Sequence, residues 1–231
     1  MIRIEGLTKH YGSIRALDGV SFEVRPGEVL GLIGPNGSGK TTLFECIGGV
    51  LPFDGGRIDA PADQIFYLPD GIAPWPHQRV AWVLDFVDRY FKAPRSARAA
   101  VVERLSLSPL LEQRIGQLSK GQRKRVLLAV AMLTSRPVVL ADEPFDGLDL
   151  KQTREVAAAL RAFSDEGRTL VLSIHQISDA ARVCDRFVLL SGGTVRGAGT
   201  LDELRALAGT LGTLGTPGTP GTLEDVFLAL T

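Results

Sequence analysis

Apolar and polar positions change period along the chain, and the changes mark the elements. The opening stretch holds "IRIEGL" and "VSFEV", in which apolar residues alternate, predicting half-buried antiparallel strands at one edge of the molecule. "EVLGLIG" is nearly continuous in its apolar character and predicts a buried strand; "GPNGSG" stops it, and "KTTLFECIGGV" reads as a helix ended at Gly48 and Gly49. "GRIDA" and "QIFYL" predict further strands. From Val80 to about Leu118 strand character gives way to Ala, Arg, Leu and Val at helical spacing, a helical insert. Beyond it come a helix in "KGQRKRVLLAVAML", a buried strand in "PVVLAD", an amphipathic helix in "KQTREVAAALRAFSDEG" and another buried strand in "TLVLSIH". Such alternation implies a parallel sheet. "RFVLLSGGTVRGAGT" predicts a hairpin turning at Gly192 and Gly193, and "LDELRALA" a short helix.

Composition then shifts abruptly. "GTLGTLGTPGTPGT", from Gly209 to Thr222, has nothing to bury and reads as a tether, after which "TLEDVFLALT" recovers a helical pattern with Thr222 and Asp225 spaced as a capping box. The expected organisation is a body over 1–208 with its helical insert at about 71–118, a tether over 209–222 and a helix over 223–231 that docks back. With 231 residues and 45% apolar content the chain can bury a substantial core, and 26 basic residues balance 26 acidic ones. No net field recommends nucleic acid, so none is expected as a partner and an anionic ligand needs a local site. Cys46 and Cys184 stand apart, as buried thiols in a reducing compartment do. "MIRIEGLTKHYG" lacks signal-peptide order, and no apolar run approaches the roughly 18 residues of a membrane helix, so a cytoplasmic chain is expected.

The chemistry concentrates in two stretches. "GPNGSGKTT", Gly34 to Thr42, fits the GxxxxGK[ST] phosphate loop. Its backbone N–H groups, at Asn36, Gly37, Ser38 and Gly39 among others, would turn inward around phosphate oxygens. Lys40 would add a point charge at the β/γ-phosphates, the hydroxyl of Thr41 would ligate Mg²⁺, and the helix beginning there adds its positive end. "VVLADEPFDGLD", Val138 to Asp149, ends an apolar strand on two adjacent carboxylates. In phosphate-loop proteins a carboxylate at the end of a neighbouring strand holds the metal, which is the place of Asp142. Glu143, one residue on, points elsewhere and is placed to orient or deprotonate an attacking water. Capping of the next helix, or pairing with arginines, is the plainer use of these acids.

With "LSKGQ", Leu118 to Gln122, in the right order and spacing after the phosphate loop and before "LADEP", the chain resembles the ATP-binding subunit of ABC transporters over nearly its whole length. The resemblance implies a phosphate-loop NTPase fold and ATP hydrolysis with Mg²⁺. It also implies a head-to-tail sandwich with a second copy or a homologous ATPase subunit, and a separate transmembrane permease subunit that holds the chain on the inner face of the membrane. It further implies that Tyr11 stacks on adenine, where the residues alone allow core packing; that Lys40, Thr41 and Thr42 bind the phosphates; and that Glu143 is the catalytic carboxylate. Ser119, Gly121 and Gln122 would address the γ-phosphate of the other copy, Asp149 would sit at the dimer seam or merely cap a helix, and His175 would reach the γ-phosphate.

The chain departs from the family pattern at two of these places. Asp70 stands after "IFYLP" where the family typically has a glutamine contacting Mg²⁺, so Asp70 is read as a metal contact, directly or through water, and Lys120 replaces a glycine of the signature. "YLPD" and "LEDVFLALT" look like ABC-2-type exporters. The surface from "DGIAPWPHQRV" to the insert, with Trp75, Trp82 and Phe86, would receive the permease, although core packing accounts equally for Trp82 and Phe86. Two rival readings are a soluble ABC-type switch acting on ribosomes or DNA and an assembly protein without turnover.

Overall fold

The alternation of strand and helix resolves into two sheets in the computed structural model, which describes residues 1–60, 62–92, 95–210 and 222–230. β1 (Ile2–Tyr11) and β2 (Ile14–Val24) pair antiparallel, and β4 (Gly55–Asp59) takes the other edge of β1. Both long strands extend well past the alternating segments that predicted them, because register shifts after Ile4 and Leu7 break the period without breaking the pairing. At one such break β1 and β4 come so close that a Cβ on Gly56 would stand 2.4 Å from the Gly6 carbonyl oxygen.

The second sheet runs β5 (Ile65–Leu68), β6 (Val138–Asp142), β7 (Thr169–Ile174), β3 (Val29–Ile33), β8 (Arg186–Ser191) and β9 (Thr194–Gly199). All neighbours are parallel except β9, which closes an antiparallel hairpin with β8 through Gly192 and Gly193. Every residue of β3, β6 and β7 is buried, since both faces are covered. Leu30, Leu32, Leu140, Val171 and Val188 face the antiparallel sheet and α1 (Lys40–Ile47). Val139, Ala141, Leu170, Leu172 and Leu189 face α4 (Lys120–Leu133), α5 (Leu150–Asp165) and α6 (Ile177–Val183).

Within the insert, α2 (Val80–Phe91) buries Val80, Val83, Leu84 and Val87 toward α4, and α3 (Arg95–Arg104) packs beside it. On the opposite face of α2, Trp82 stacks on Phe86 at 5.6 Å between centroids and Phe86 on Tyr90 at 6.1 Å; Trp75 meets Phe86 edge-on, and all four rings are exposed. Trp82 and Phe86 are therefore not core. α7 (Leu201–Thr210) runs two residues past the expected end of the body, and α8 (Leu223–Leu230) seats Leu223 and Val226 against α6 and α7. The backbone N–H of Thr222 donates to Asp225 Oδ2 at 2.7 Å and that of Asp225 to Thr222 Oγ1 at 3.2 Å, which is the reciprocal cap read from the sequence. The expected tether lies largely outside the described residues. No described helix is long and apolar enough to cross a membrane.

Candidate functional site

Parallel strands end together, and their carboxyl ends open on one crevice. β3 delivers the glycine loop there, β6 delivers Asp142 and Glu143, and β7, in register with β6 through Asp142 and Ser173, delivers Ser173 and then His175. The result is a cavity of about 560 Å³ lined by Tyr11, Asn36, Gly37, Gly39, Lys40, Thr41, Thr42, Asp70, Asp142 and Glu143, walled also by Ile14, Arg15, Ala16, Gly192 and Gly193.

The loop has the shape its glycines require. Gly39 sits at φ 103°, and a Cβ there would stand 2.5 Å from the Ala16 carbonyl oxygen; a Cβ on Gly34 would lie 2.2 Å from that of Leu190. Among the described residues no side chain caps α1, which leaves its first-turn N–H groups facing the cavity, and none pairs with the buried Ser38 hydroxyl. Such a cradle fits a polyphosphate. Lys40 donates to the carbonyls of Gly34 at 2.7 Å and Pro35 at 3.2 Å, with Glu143 Oε1 at 3.8 Å. Burial lowers its pKa, opposed by the charges of Glu143 and Asp142.

Thr41 Oγ1 donates to Asp142 Oδ2 at 2.9 Å, and the Ser173 hydroxyl donates to Oδ1, so both oxygens of the 3%-exposed carboxylate are held. A hard carboxylate and a hydroxyl side by side suit Mg²⁺, with phosphate and water supplying the remaining oxygens. Bound there, the ion would neutralise charge developing on the phosphates. No cluster of three or more His, Cys, Asp or Glu side chains able to hold a metal occurs among the described residues.

Glu143 follows Asp142 with φ 49°, and this left-handed step turns adjacent acids in different directions. Its N–H donates to Ser173 Oγ at 3.0 Å, and its Oε2 lies 2.5 Å from His175 Nδ1, which must carry the proton because a carboxylate only accepts. Glu143 is thus held between Lys40 and His175 at the cavity rim. His175 itself lies beside the cavity rather than on its wall, in a niche with Phe145, Gln176 and Asp179.

The signature residues stand elsewhere. Ser119 caps α4, accepting from the N–H of Gln122 at 3.2 Å, while the N–H of Ser119 donates to Gln122 Oε1 at 2.9 Å. Gln122, read as a nucleotide contact, is engaged in this cap, worth about 1 kcal/mol. Gly121 is buried so tightly that a Cβ would lie 2.7 Å from the Gly147 carbonyl oxygen. Neither Ser119, Gly121 nor Gln122 lines the cavity of the glycine loop. Asp149 does cap α5, accepting from the Gln152 N–H at 2.8 Å. Asp70, read as a metal contact, lines the cavity but has Lys124 Nζ on its Oδ1 at 2.5 Å. Ser173 and Lys124 are contacts of the cavity carboxylates that the motif reading missed. Each had a signal: a hydroxyl inside the apolar strand "TLVLSI", and a charge on a helix buried on almost all sides.

Comparisons with known proteins agree with this geometry. The profile of the ABC transporter family matches residues 17–146. An uncharacterized ABC transporter ATP-binding protein of Methanocaldococcus jannaschii is 32% identical over 207 residues, covering 88% of this chain and 79% of that protein. The phosphonates import ATP-binding protein PhnC of Caulobacter vibrioides is 32% identical over 237 residues, covering 89% and 90%. The sn-glycerol-3-phosphate import ATP-binding protein UgpC 1 of Rhizobium johnstonii is 34% identical over 218 residues, 88% of this chain but 59% of that longer protein. Among solved structures, an ATP-binding subunit of an ABC transporter superposes with TM-score 0.85 at 26% identity, covering 100% of this chain and 99% of its own. An ATP-binding cassette of an ABC transporter in its ADP conformation gives 0.76 at 25% identity, covering 99% and 98%. By the family match over more than half of its length and by its 32% identity to a relative across 88% of its residues, the chain belongs to the ABC transporter family, as an ATP-binding and ATP-hydrolysing subunit.

Proposed function

We propose that this chain is the motor of a membrane exporter. Two copies, or one copy and a homologous ATPase subunit, close head to tail on two MgATP, hydrolysis reopens them, and the motion drives a separate transmembrane subunit from the cytoplasmic side. The chain from Thr41 through Asp142 and Ser173 to Glu143 and His175 carries the reading, because it joins a metal-binding pair to a carboxylate poised for water. Tyr11, half exposed at the cavity mouth, is the adenine platform. Ser119 and Gly121 at the start of α4 are directed to the γ-phosphate of the other copy; their distance from the chain's own cavity supports a shared site.

The exposed rings of Trp75, Trp82 and Phe86 are the permease contact. Export is read from "YLPD" and from the tail helix packed on α6 and α7, against the import names of several relatives, the sulfate/thiosulfate protein of Rhizobium meliloti among them, of which this chain spans 60%. The test is affinity purification from detergent-solubilised cells, wild type and Glu143→Gln, with mass spectrometry. A polytopic protein in stoichiometric amount supports the reading, and its removal should raise the cellular content of the cargo. Lower content would reverse the direction, and ribosomes or DNA-bound proteins instead of a permease would overturn the transporter reading.

A further inference from the structure

Lys124 is an unusual lysine. It is 6% exposed on α4, its ammonium 2.5 Å from Asp70 Oδ1 and 3.5 Å from the Asp142 carbonyl oxygen, so one cation bridges the loop after β5 and the end of β6. Asp70 and Asp142 belong to partners 54 and 18 residues away in sequence. Three carboxylates, Asp70, Asp142 and Glu143, border one cavity, and Asp142 and Glu143 already have hydroxyl, lysine and histidine partners. Asp142 has the Thr41 hydroxyl beside it, as a metal ligand would, and Asp70, bound to Lys124, is the other cavity carboxylate without a hydroxyl or histidine partner that could compete for a divalent cation. Burial would raise its pKa, but the hydrogen bond and charge of Lys124, with the Gly71 N–H and the charge of Lys120, together bring it below the usual carboxylate value. One turn earlier on the same face, Lys120 pairs with Asp146 in the loop after Glu143, its side chain lying across Gly147. The two lysines grip the loops on both sides of the site.

We propose that Lys124 is a positioning residue that holds Asp70 off the metal, leaving Asp142 and Thr41 as the Mg²⁺ ligands among the described residues. The inference rests on the MgATP reading of the cavity and replaces the reading of Asp70 as a metal contact. It makes the pair a neutral substitute for an uncharged side chain: Asp70 is tolerated beside the metal because its charge is cancelled within the fold. It also ties the metal side of this cavity to α4, whose first turn presents Ser119 and Gly121.

The test is the affinity of Mn²⁺ for the full-length protein with saturating ADP, read by electron paramagnetic resonance, with circular dichroism to verify folding. Lys124→Gln should tighten Mn²⁺ about tenfold by releasing Asp70, whereas Lys124→Arg should stay within about twofold of wild type. The double variant Asp70→Asn with Lys124→Gln removes the pair without net charge and decides the matter. Affinity within about twofold of wild type supports the proposal; any larger fall means that Asp70 is itself a ligand and overturns it. Unchanged affinity in Lys124→Gln alone also overturns it. If wild type binds neither ADP nor Mn²⁺, the nucleotide reading fails first, and the result is recognisably different.

Discussion

Lys40, Lys124 and Asp142 at the mouth of the parallel sheet expose 6%, 6% and 3% of their surface, whereas Trp82, Phe86 and Tyr90 on the outer face of α2 expose 45%, 43% and 69%. Both regions invert the usual distribution, charge outside and large apolar rings inside. They differ in completeness. Each buried charge has its partner in the same chain: Lys40 has two carbonyls and Glu143, Asp142 has Thr41 and Ser173, Lys124 has Asp70. The rings on α2 have one another and solvent. The charged region is complete within the chain, whereas the ring face is exposed apolar surface, which is the property that the proposed permease contact uses.

The comparison can be broken most directly at Glu143. Glu143→Gln should retain nucleotide but hydrolyse it about 10²- to 10⁴-fold more slowly in a phosphate-release assay, and accumulate a MgATP-bound dimer in light scattering; near-normal turnover would remove Glu143 from its role. Lys40→Ala should weaken ATP binding about tenfold or more in calorimetry, the loss of a charge-assisted bond to phosphate, and undiminished affinity would contradict the cradle. On the other side, Trp82→Asp with Phe86→Ser should abolish recovery of the membrane partner. It should leave the thermal midpoint close to wild type, because exposed positions typically shift stability by about 0.5 kcal/mol or less. A large drop in the midpoint would mean that the rings are structural. The smallest effect concerns the thiols. Burial raises Cys46 to about 11 and pushes Cys184 up as well. Both should react slowly with a thiol-specific disulfide reagent at pH 8 until the protein is denatured. Because the unfolded thiol ionises first, the stability tied to Cys46 is full below about 8.5 and declines as pH rises toward about 11.

The mouth was far more legible in the sequence than its internal wiring. The glycine loop, the paired acids and the signature are contiguous motifs, and contiguity is what a linear reading detects. The pairing of Asp70 with Lys124, of Ser173 with Asp142 and of Lys120 with Asp146 spans 54, 31 and 26 residues, and only the closing of the sheet brings these side chains together. The strands and long helices were read from their periods. α6, seven residues within "QISDAARVC", is too short to show one, and the bulged register of β1 and β2 hid their true lengths. The aromatic face of α2 was visible as Trp82 and Phe86 four apart, but whether that stripe faced in or out depended on which stripe α4 would take.

Glu143 holds its backbone at φ 49°, a conformation that disfavours its own side chain by about 1 kcal/mol and suits glycine or asparagine. Variants selected only for heat resistance should therefore drift toward Gly or Asn at this position, gaining robustness as they lose turnover. An engineer raising the stability of this chain would do well to hold residue 143 fixed, and a natural relative carrying glycine there would be expected to have kept the shape of the motor after giving up its fuel.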